Sequence, residues 1–294
     1  HMTITHKYCQ DFVLEVETLD FSTVYAIDIS YEKNSKRSIV AVSHFHNKQY
    51  MCTYLERSQE PIEYTAGYLS LREFLPMQQT LDKVIAITKQ QPTFIILDGC
   101  GRWHPARAGL ACYVSRVYGI PSVGISKNYL TLNPPLNLDM TDEQQKIYED
   151  LLNGAISFEQ AIMHPLNSVH KRSTPKSEKS SVSQQPTPQE NSQTPNLDQH
   201  AQSKSAFDLP KLENKKYMEE ENGLVSMHFQ LQRQNGEKSR LFASLGFQSP
   251  RERGLLEQVF AEKEFVAEAV RAADLAGREA LGTSHWGKRV QWVQ

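Results

Sequence analysis

The chain begins with short apolar runs of partial alternation, which predict a strand meander. Three such runs, VYAIDIS (24–30), RSIVAVS (37–43) and QYMCTYL (49–55), are separated by polar turns. Alternation with a period of two is typical of half-buried strands, and short polar connections favour antiparallel neighbours. We therefore expect an antiparallel three-stranded meander.

A helical pattern follows the meander. Residues 69–89 carry apolar side chains at helical spacing, which predicts a helix of about four turns with Pro76 in its first turn or at a kink. The continuous apolar run TFIILDG (93–99) is typical of a buried strand that presents a side chain at its C-terminal end.

A second helix and strand come next. The segment PARAGLACYVSRVYG predicts a helix that Pro105 opens and Gly119 closes. The run IPSVGIS (120–126) predicts another buried strand. Near the end of the chain, GLVSMHFQLQ (223–232) and SRLFASLG (239–246) indicate a hairpin around Gln-Asn-Gly, and residues 250–281 predict paired helices.

The polar residues concentrate in one segment. Of the 39 residues in 167–205, 25 are Ser, Gln, Pro, Thr or Asn, and none is aromatic. Such a segment cannot bury enough apolar surface to offset the entropy of ordering it, so we interpret 166–220 as a disordered insert. A solvated loop or a phosphorylatable tether is the alternative. Residues 8–165 then form the first part of a core that 221–294 completes, and the element order predicts an α/β fold with a mixed sheet flanked by helices.

Charge and cysteine content narrow the class of protein. The formal net charge of −2 argues against a polybasic nucleic-acid binder but permits a local basic cleft. Four cysteines, at 9, 52, 100 and 112, show neither zinc-site nor disulfide spacing and suit a reducing compartment. With no apolar run of about 18 residues and no signal-peptide pattern, we expect a soluble cytoplasmic protein, or a nuclear one in a eukaryote.

Three carboxylates are candidate metal-binding groups. Asp28 lies in the first predicted strand, Glu73 near the start of the first helix, and Asp98 at the end of the central strand. An acid inside an apolar strand is costly to bury unless it binds a cation, accepts hydrogen bonds or lies at a cleft. Mg²⁺ and Mn²⁺ prefer such oxygen ligands and support phosphodiester hydrolysis. Taken singly, each acid could equally be a strand-edge residue or complement a helix dipole.

A basic stretch accompanies these acids. After Asp98, the side chains of Arg102, His104 and Arg107 can donate to phosphate or base edges. From Gly99 to Lys127 there are four Lys or Arg and no acid. This contrast is what a nuclease with a near-neutral overall charge requires.

With these blocks in view, residues 24–130 resemble the endonuclease V family. The similarity is carried by AIDISY (26–31), GYLSLRE (67–73), the DGCGRWHPARAGLA element (98–111) and IPSVGISK (120–127). The resemblance implies an RNase H-like fold and hydrolysis of one strand at the second phosphodiester 3′ of an inosine or deoxyinosine. It implies Mg²⁺ or Mn²⁺ held by Asp28, Glu73 and Asp98, and a flipped base in a pocket.

The resemblance also implies roles for further residues. His104 and Lys127 would contact the scissile phosphate or the attacking water, with a packed histidine and a solvated lysine as the alternatives. A second set would bind the substrate, although its glycines could be plain turn residues. This set comprises Tyr64, Gly67, Leu69, Gly99, Gly101, Arg102 and Leu130.

Two departures from the family pattern change the expectation. Where the family usually has Pro-Tyr-Ile-Pro, this chain has Glu63-Tyr64-Thr65-Ala66, so the two rigidifying prolines are missing. That favours single-stranded or RNA substrates over duplex DNA. Phe247 occupies the position of a late His or Asp that completes the metal site. A phenylalanine side chain cannot bind a cation through oxygen or nitrogen. Either Gln248 or Glu252 therefore replaces it as the ligand, or one metal ion binds more weakly, or the activity is reduced.

Three functions are compatible with these patterns. The first is a metal-dependent nuclease on inosine-containing RNA or DNA. The second is a weakened or inactive nucleic-acid-binding protein on the same scaffold, and the third is another RNase H-like enzyme such as a resolvase, which leaves the DGCGRWHP element unexplained. We expect a monomer that binds nucleic acid and no membrane, with a protein partner for the insert.

Overall fold

The described strands form one mixed sheet. The structure, a computed structural model, describes residues 4–33, 37–59, 67–127, 139–164, 217–219, 225–232 and 238–293. Within them the sheet has nine strands in the order β6-β7-β8-β5-β4-β1-β2-β3-β9. The strands are β1 Thr23–Tyr31, β2 Arg37–His46, β3 Gln49–Gln59, β4 Phe94–Asp98, β5 Ser122–Ser126, β6 Tyr217–Glu219, β7 Val225–Gln232, β8 Lys238–Leu245 and β9 Val290–Trp292.

Seven helices lie along the described chain. Two of them, α4 and α5, begin with complete capping boxes at Thr141 and Ser157, which satisfy their first backbone N–H groups. The helices are α1 Ile4–Gln10, α2 Leu69–Thr88, α3 Leu110–Tyr118, α4 Asp142–Leu152, α5 Phe158–Met163, α6 Glu252–Ala261 and α7 Lys263–Ala280.

The predicted meander is confirmed. Strands β1, β2 and β3 pair antiparallel, and their register places Asp28 opposite Ala41 and Ala41 opposite Leu55. Strand β4 pairs parallel to β1, and β5 pairs parallel to β4. The unbroken apolar pattern of β4 is explained by burial of Phe94, Ile95, Ile96 and Leu97, because helices cover both faces of this part of the sheet.

The first predicted helix is present, but Pro76 is not in its first turn. Helix α2 has 20 residues, and Pro76 is the eighth of them. The missing N–H of a proline costs one helical hydrogen bond. The helix nevertheless continues because Pro76 is itself buried, and Phe74, Met77 and Leu81 fix this part of the helix in the core.

Pro105 does not open the second helix. Helix α3 begins at Leu110 after Gly109 and ends at Gly119, which has a left-handed φ of 64° as a C-cap glycine does. Residues 99–109 form an irregular loop in which Arg107, at φ 51°, donates its N–H to the His104 carbonyl. Loop packing against β5 and β8 overrides the helix-start signal of the proline.

The C-terminal hairpin and the paired helices are confirmed. Strand β8 pairs antiparallel with both β7 and β5, which continues the sheet beyond the insert. Helices α6 and α7 cover the sheet face opposite to α2 and α3. Residues 217–219, inside the segment predicted to be disordered, form an edge strand; the rest of that segment lies outside the described residues.

All four cysteines are free, as their spacing suggested. Within the described ranges, no helix combines the length and apolarity that crossing a membrane requires.

Candidate active site

Asp28 in β1 and Asp98 in β4 stand beside each other. The parallel register pairs Ile27 with Leu97, so the next residue on each strand is an acid. Neighbouring strands lie about 4.8 Å apart, and residues in register share a face. Burial, and then repulsion from Asp98 and Asp274, raises the pKa of Asp28 to about 7. The Ser30 hydroxyl group partly opposes this shift by donating to Asp28 Oδ2 over 3.1 Å.

Glu73 brings a third carboxylate to these strands from α2. Its side chain is buried, and the Tyr31 hydroxyl group donates to Glu73 Oε1 over 2.5 Å. Burial raises the pKa of Glu73 to about 8, and the charges of Asp28 and Asp98 add to the rise while the Tyr31 bond opposes it. The three acids predicted from the sequence therefore interact in the folded chain.

Lys127 offers a cation at the same place. Its ammonium Nζ lies 3.8 Å from Asp98 Oδ2, and its side chain is 55% exposed. Burial raises the pKa of Asp98, whereas Lys127 lowers it. An exposed lysine beside a carboxylate can contact a bound phosphate, and the predicted contact of Lys127 with the scissile phosphate stays a prediction.

Asp274 is a fourth carboxylate at this site, and the sequence reasoning missed it. It lies in α7 and raises the pKa of both Asp28 and Asp98. Arg278 donates to Asp274 Oδ1 over 2.6 Å one helical turn later. The available signal was an acid among the small residues Ala273, Ala276 and Gly277, whose burial brings α7 close to the sheet.

The donor chemistry fits a hard divalent cation. Four carboxylates, three of them with raised pKa values, repel one another in a partly buried site, and a cation with oxygen preference would relieve that repulsion. Among the described residues, however, no three His, Cys, Asp or Glu side chains already form a group able to hold a metal ion. The acids therefore lie near one another, but their described positions do not yet surround a single cation.

His104 lies in a different environment from that expected. Its ring is buried, Nδ1 accepts the N–H of Ala106 over 3.1 Å, and the ring also bonds to the Gly67 carbonyl. Burial lowers the pKa of His104 to about 4, so the ring is neutral. Both ring nitrogens thus serve the backbone, and contact with phosphate or water would require the ring to leave Gly67.

A second buried histidine, His6 of α1, also bonds to the Gly67 carbonyl. Its Nδ1 lies 2.6 Å from the Tyr113 hydroxyl group and its Nε2 lies 3.4 Å from the Gly67 carbonyl oxygen. Since a carbonyl only accepts, Nε2 carries the proton and Nδ1 accepts from Tyr113. Burial lowers the pKa of His6 to about 3. Nothing in the local sequence singled out this residue.

The glycines of the DGCGRWHPARAG element serve close backbone packing. A Cβ on Gly101 would lie 2.3 Å from the Ser244 carbonyl oxygen, and one on Gly124 would lie 2.4 Å from the Gly101 nitrogen. The Gly101 N–H donates to Ser244 Oγ over 3.0 Å. Gly101 therefore packs closely against β5 and β8, and its predicted contact with a base stays a prediction.

Arg102 is also placed differently from the prediction. Its guanidinium Nη1 donates to Glu252 Oε2 over 2.6 Å, and both side chains are 9% exposed. A buried arginine paired in this way is not presented to a substrate. In this structure the ion pair joins the loop to α6, and the predicted contact of Arg102 with a substrate stays a prediction.

The predicted replacements for the late metal ligand do not reach the acids. Phe247 is 1% exposed in the core under α6 and α7. Gln248 donates its side-chain N–H to the Gln10 carbonyl, and Glu252 pairs with Arg102. Asp274 supplies the additional carboxylate instead.

The remaining predicted pocket residues are partly described. Leu69, in the first turn of α2, is 39% exposed, and Gly67, two residues before it, has a φ of 82°. Gly99, at φ 141°, donates its N–H to the Ile125 carbonyl. Tyr64 and Leu130 lie outside the described residues.

The fold and the site together define a class. A mixed sheet that opens with an antiparallel meander, continues through parallel strands and carries acids on its central strands is an RNase H-like α/β fold. The family model for endonuclease V matches residues 8–169, which is more than half of the chain. The chain belongs to the endonuclease V family.

Known relatives agree with this membership. The chain is similar to endonuclease V of Thermococcus kodakarensis, with 31% identity over 119 residues, 40% of this chain and 57% of that protein. It is similar to endonuclease V of Roseiflexus castenholzii, with 33% identity over 108 residues, 37% of this chain and 47% of that protein. The chain spans about half the length of the curated relatives it matches.

Solved structures share the fold over nearly the whole chain. A Ciona intestinalis endonuclease V, in complex with a 24mer DNA containing an inosine followed by a ribo-adenosine, aligns with a TM-score of 0.56 and 16% identity over 95% of both chains. Human ENDOV aligns with a TM-score of 0.55 and 16% identity over 95% of both chains.

Proposed function

We propose that this chain is a divalent-metal-dependent endonuclease that hydrolyses a phosphodiester 3′ to inosine or deoxyinosine in RNA or DNA. The observation that carries the proposal is the set of mutually repelling carboxylates on neighbouring strands, Asp28 and Asp98, joined by Glu73. Family membership supports the reaction class, and the inosine-containing DNA bound to the Ciona protein supports the substrate class.

The acids would hold Mg²⁺ or Mn²⁺. Asp28, Glu73 and Asp98 are the proposed ligands, and Asp274 adds negative charge beside them. Such a cation, when bound, activates water and stabilises charge on a phosphodiester. The hydrogen bond from the Tyr31 hydroxyl group stabilises the ionised form of Glu73. The hydrogen bond from Arg278 orients the Asp274 carboxylate.

Lys127 and the loop after β4 would place the substrate. The exposed ammonium of Lys127 can bind a phosphate oxygen while it remains near Asp98. His6 and His104 both bond to the carbonyl of Gly67, two residues before α2 begins. These bonds would keep the start of α2 in place when a base binds beside Leu69. The absence of both family prolines at 63–66 leads us to propose single strands as the preferred substrate.

A cleavage panel tests this proposal. Single- and double-stranded RNA and DNA, each with and without one inosine, would be incubated with the protein in Mg²⁺ and in Mn²⁺. We expect specific cleavage of inosine-bearing strands that Asp98→Ala abolishes and Asp11→Ala, which removes an exposed acid, does not. Circular dichroism confirms that both variants fold. Equal cleavage by Asp98→Ala and wild type would refute the site assignment.

A second function is a nucleic-acid-binding protein with weak or no turnover. The engagement of both nitrogens of His104 with the backbone, together with acids that are not closed around one point, favours it. It predicts binding of inosine-bearing strands without a metal-dependent product. Accumulation of a specific product in Mn²⁺ would exclude it.

A further inference from the structure

A cation-lined cavity lies beside the candidate active site. It has a volume of about 580 Å³, within the range of about 300–1,000 Å³ that ligand pockets occupy. Its lining includes Lys33, Arg37 and Arg57 but the single acid Glu32. The cavity also borders Tyr31, the residue that bonds to Glu73.

The register of the sheet places this cavity near the acids. Ser30 pairs with Ile39, and Ile39 pairs with Arg57, so Arg57 shares the sheet face of Ser30 and of Asp28 two residues earlier. Three residues of extended strand from Asp28 to Tyr31 span about 10 Å. The Tyr31 edge of the cavity therefore lies about 10 Å along the strand from Asp28.

An exposed aromatic side chain stands beside the cations. Trp292 of β9 pairs with Leu55, which in turn pairs with Ala41 opposite Asp28. Trp292 is 42% exposed, and the Arg57 guanidinium carbon lies 4.6 Å from the centroid of its ring. Aromatic rings next to arginine are the platforms on which unpaired bases stack.

The C-terminal end of α7, which borders the cavity, does not itself attract an anion. The C-terminus of a helix is the negative pole of its dipole, and its carbonyl oxygens only accept hydrogen bonds. The attraction for an anion therefore comes from the arginine and lysine side chains.

We propose that this cavity, with Arg57 and Trp292, binds a nucleotide of the single strand that flanks the cleaved phosphodiester. The phosphate would lie on the cations of the cavity and the unpaired base on Trp292. The inference rests on the proposed function for the identity of the strand. It adds a second contact region on the same face of the sheet, separate from the four acids.

Kinetics with trimmed substrates tests the subsite. Single-stranded inosine oligonucleotides with long flanks, a short 5′ flank or a short 3′ flank would be compared. For wild type, we expect trimming of one flank to raise KM about tenfold. In Arg57→Ala and Trp292→Ala this dependence on flank length should shrink to less than about twofold, and Trp292→Phe should retain most of it. The slope of log affinity against log salt should fall by about 0.7 in Arg57→Ala.

The matched control is Lys48→Ala, which removes an exposed cation at the β2–β3 turn, away from the cavity. It should preserve the dependence on flank length. If wild type cleaves but the Arg57 and Trp292 variants behave like the control on every substrate, the subsite is refuted while the nuclease stands. A loss confined to duplex substrates would also refute it.

If wild type cleaves no oligonucleotide, the proposed function fails. The subsite is then tested by measuring the binding of single strands. Fluorescence anisotropy with an unmodified labelled single strand would compare Arg57→Glu with Lys48→Glu. Binding about tenfold weaker in Arg57→Glu than in Lys48→Glu supports the subsite. Equal affinities of the two variants refute it.

Discussion

The Tyr31 hydroxyl group of β1 donates to the Glu73 carboxylate of α2 over 2.5 Å. This bond joins the meander to the helix that brings the third acid to the site. It stabilises the ionised form of a carboxylate whose burial raises its pKa to about 8. The protonation state of the site therefore depends on a tyrosine that lies outside the acid set itself.

We expect Tyr31→Phe to move the acidic limb of the pH–rate profile to higher pH. Removal of a donor to the charged form raises the pKa of Glu73 further, so a smaller fraction is ionised at neutral pH. A hydrogen bond to a charged group contributes about 1.5–3 kcal/mol, so cleavage at pH 7 should fall roughly tenfold and recover at higher pH. The control is Tyr25→Phe, which removes a bonded hydroxyl group at the other end of β1. An unshifted limb would contradict the prediction.

Asp274→Asn should weaken the binding of Mg²⁺. The substitution removes one negative charge from the site, so more Mg²⁺ is required for half-maximal cleavage, and activity at low Mg²⁺ should fall by roughly one to two orders of magnitude. The pKa values of Asp28 and Asp98 should fall because one source of repulsion is gone. Mg²⁺ titrations of cleavage measure the change. Glu264→Gln, an exposed acid of the same helix, should leave the titration where it is.

The metal-free protein should lose stability as pH rises from about 4 to about 8. Folded Asp28 keeps its proton up to pH about 7, whereas its ordinary pKa is 3.8, so the folded chain binds more protons in that interval. The stabilising effect is complete below the ordinary pKa and disappears as pH rises through 7. At pH 8, Asp28→Asn should raise the free energy of unfolding by up to roughly 4 kcal/mol.

Urea denaturation in EDTA checks this prediction at pH 5 and pH 8. Mg²⁺ should stabilise the wild type at pH 8 more than it stabilises Asp28→Asn, since a cation needs deprotonated ligands. Asp11→Asn, an exposed acid, is the control. Equal stability of wild type and Asp28→Asn at pH 8 would show that burial and the neighbouring acids do not raise the pKa of Asp28 in the folded protein.

The Arg102–Glu252 pair should act on stability and leave cleavage intact. Removal of one partner isolates a buried charge, so Arg102→Met or Glu252→Gln should each lower the free energy of unfolding by about 3–5 kcal/mol. The double variant Arg102→Met/Glu252→Leu should regain much of that loss and should still cleave. A folded double variant without activity would instead indicate that Arg102 contacts the substrate.

The amino-acid sequence by itself determined the meander, the buried strands and three acids of the candidate site. Alternation and continuous apolar runs report local burial, and the motif blocks around Asp28, Glu73 and Asp98 lie close enough together along the chain to be recognised as one pattern. These features depend on neighbours within a few residues, which is why sequence reasoning reaches them.

Only the tertiary structure decided which side chains meet across the fold. Asp274 joins Asp28 because α7 packs its small residues against the sheet. Arg102 turns away from the expected substrate because Glu252, which follows the insert, lies under its loop. Both outcomes depend on the packing of segments that are distant in sequence, and the small residues around Asp274 report only that α7 packs closely, not which side chains it meets.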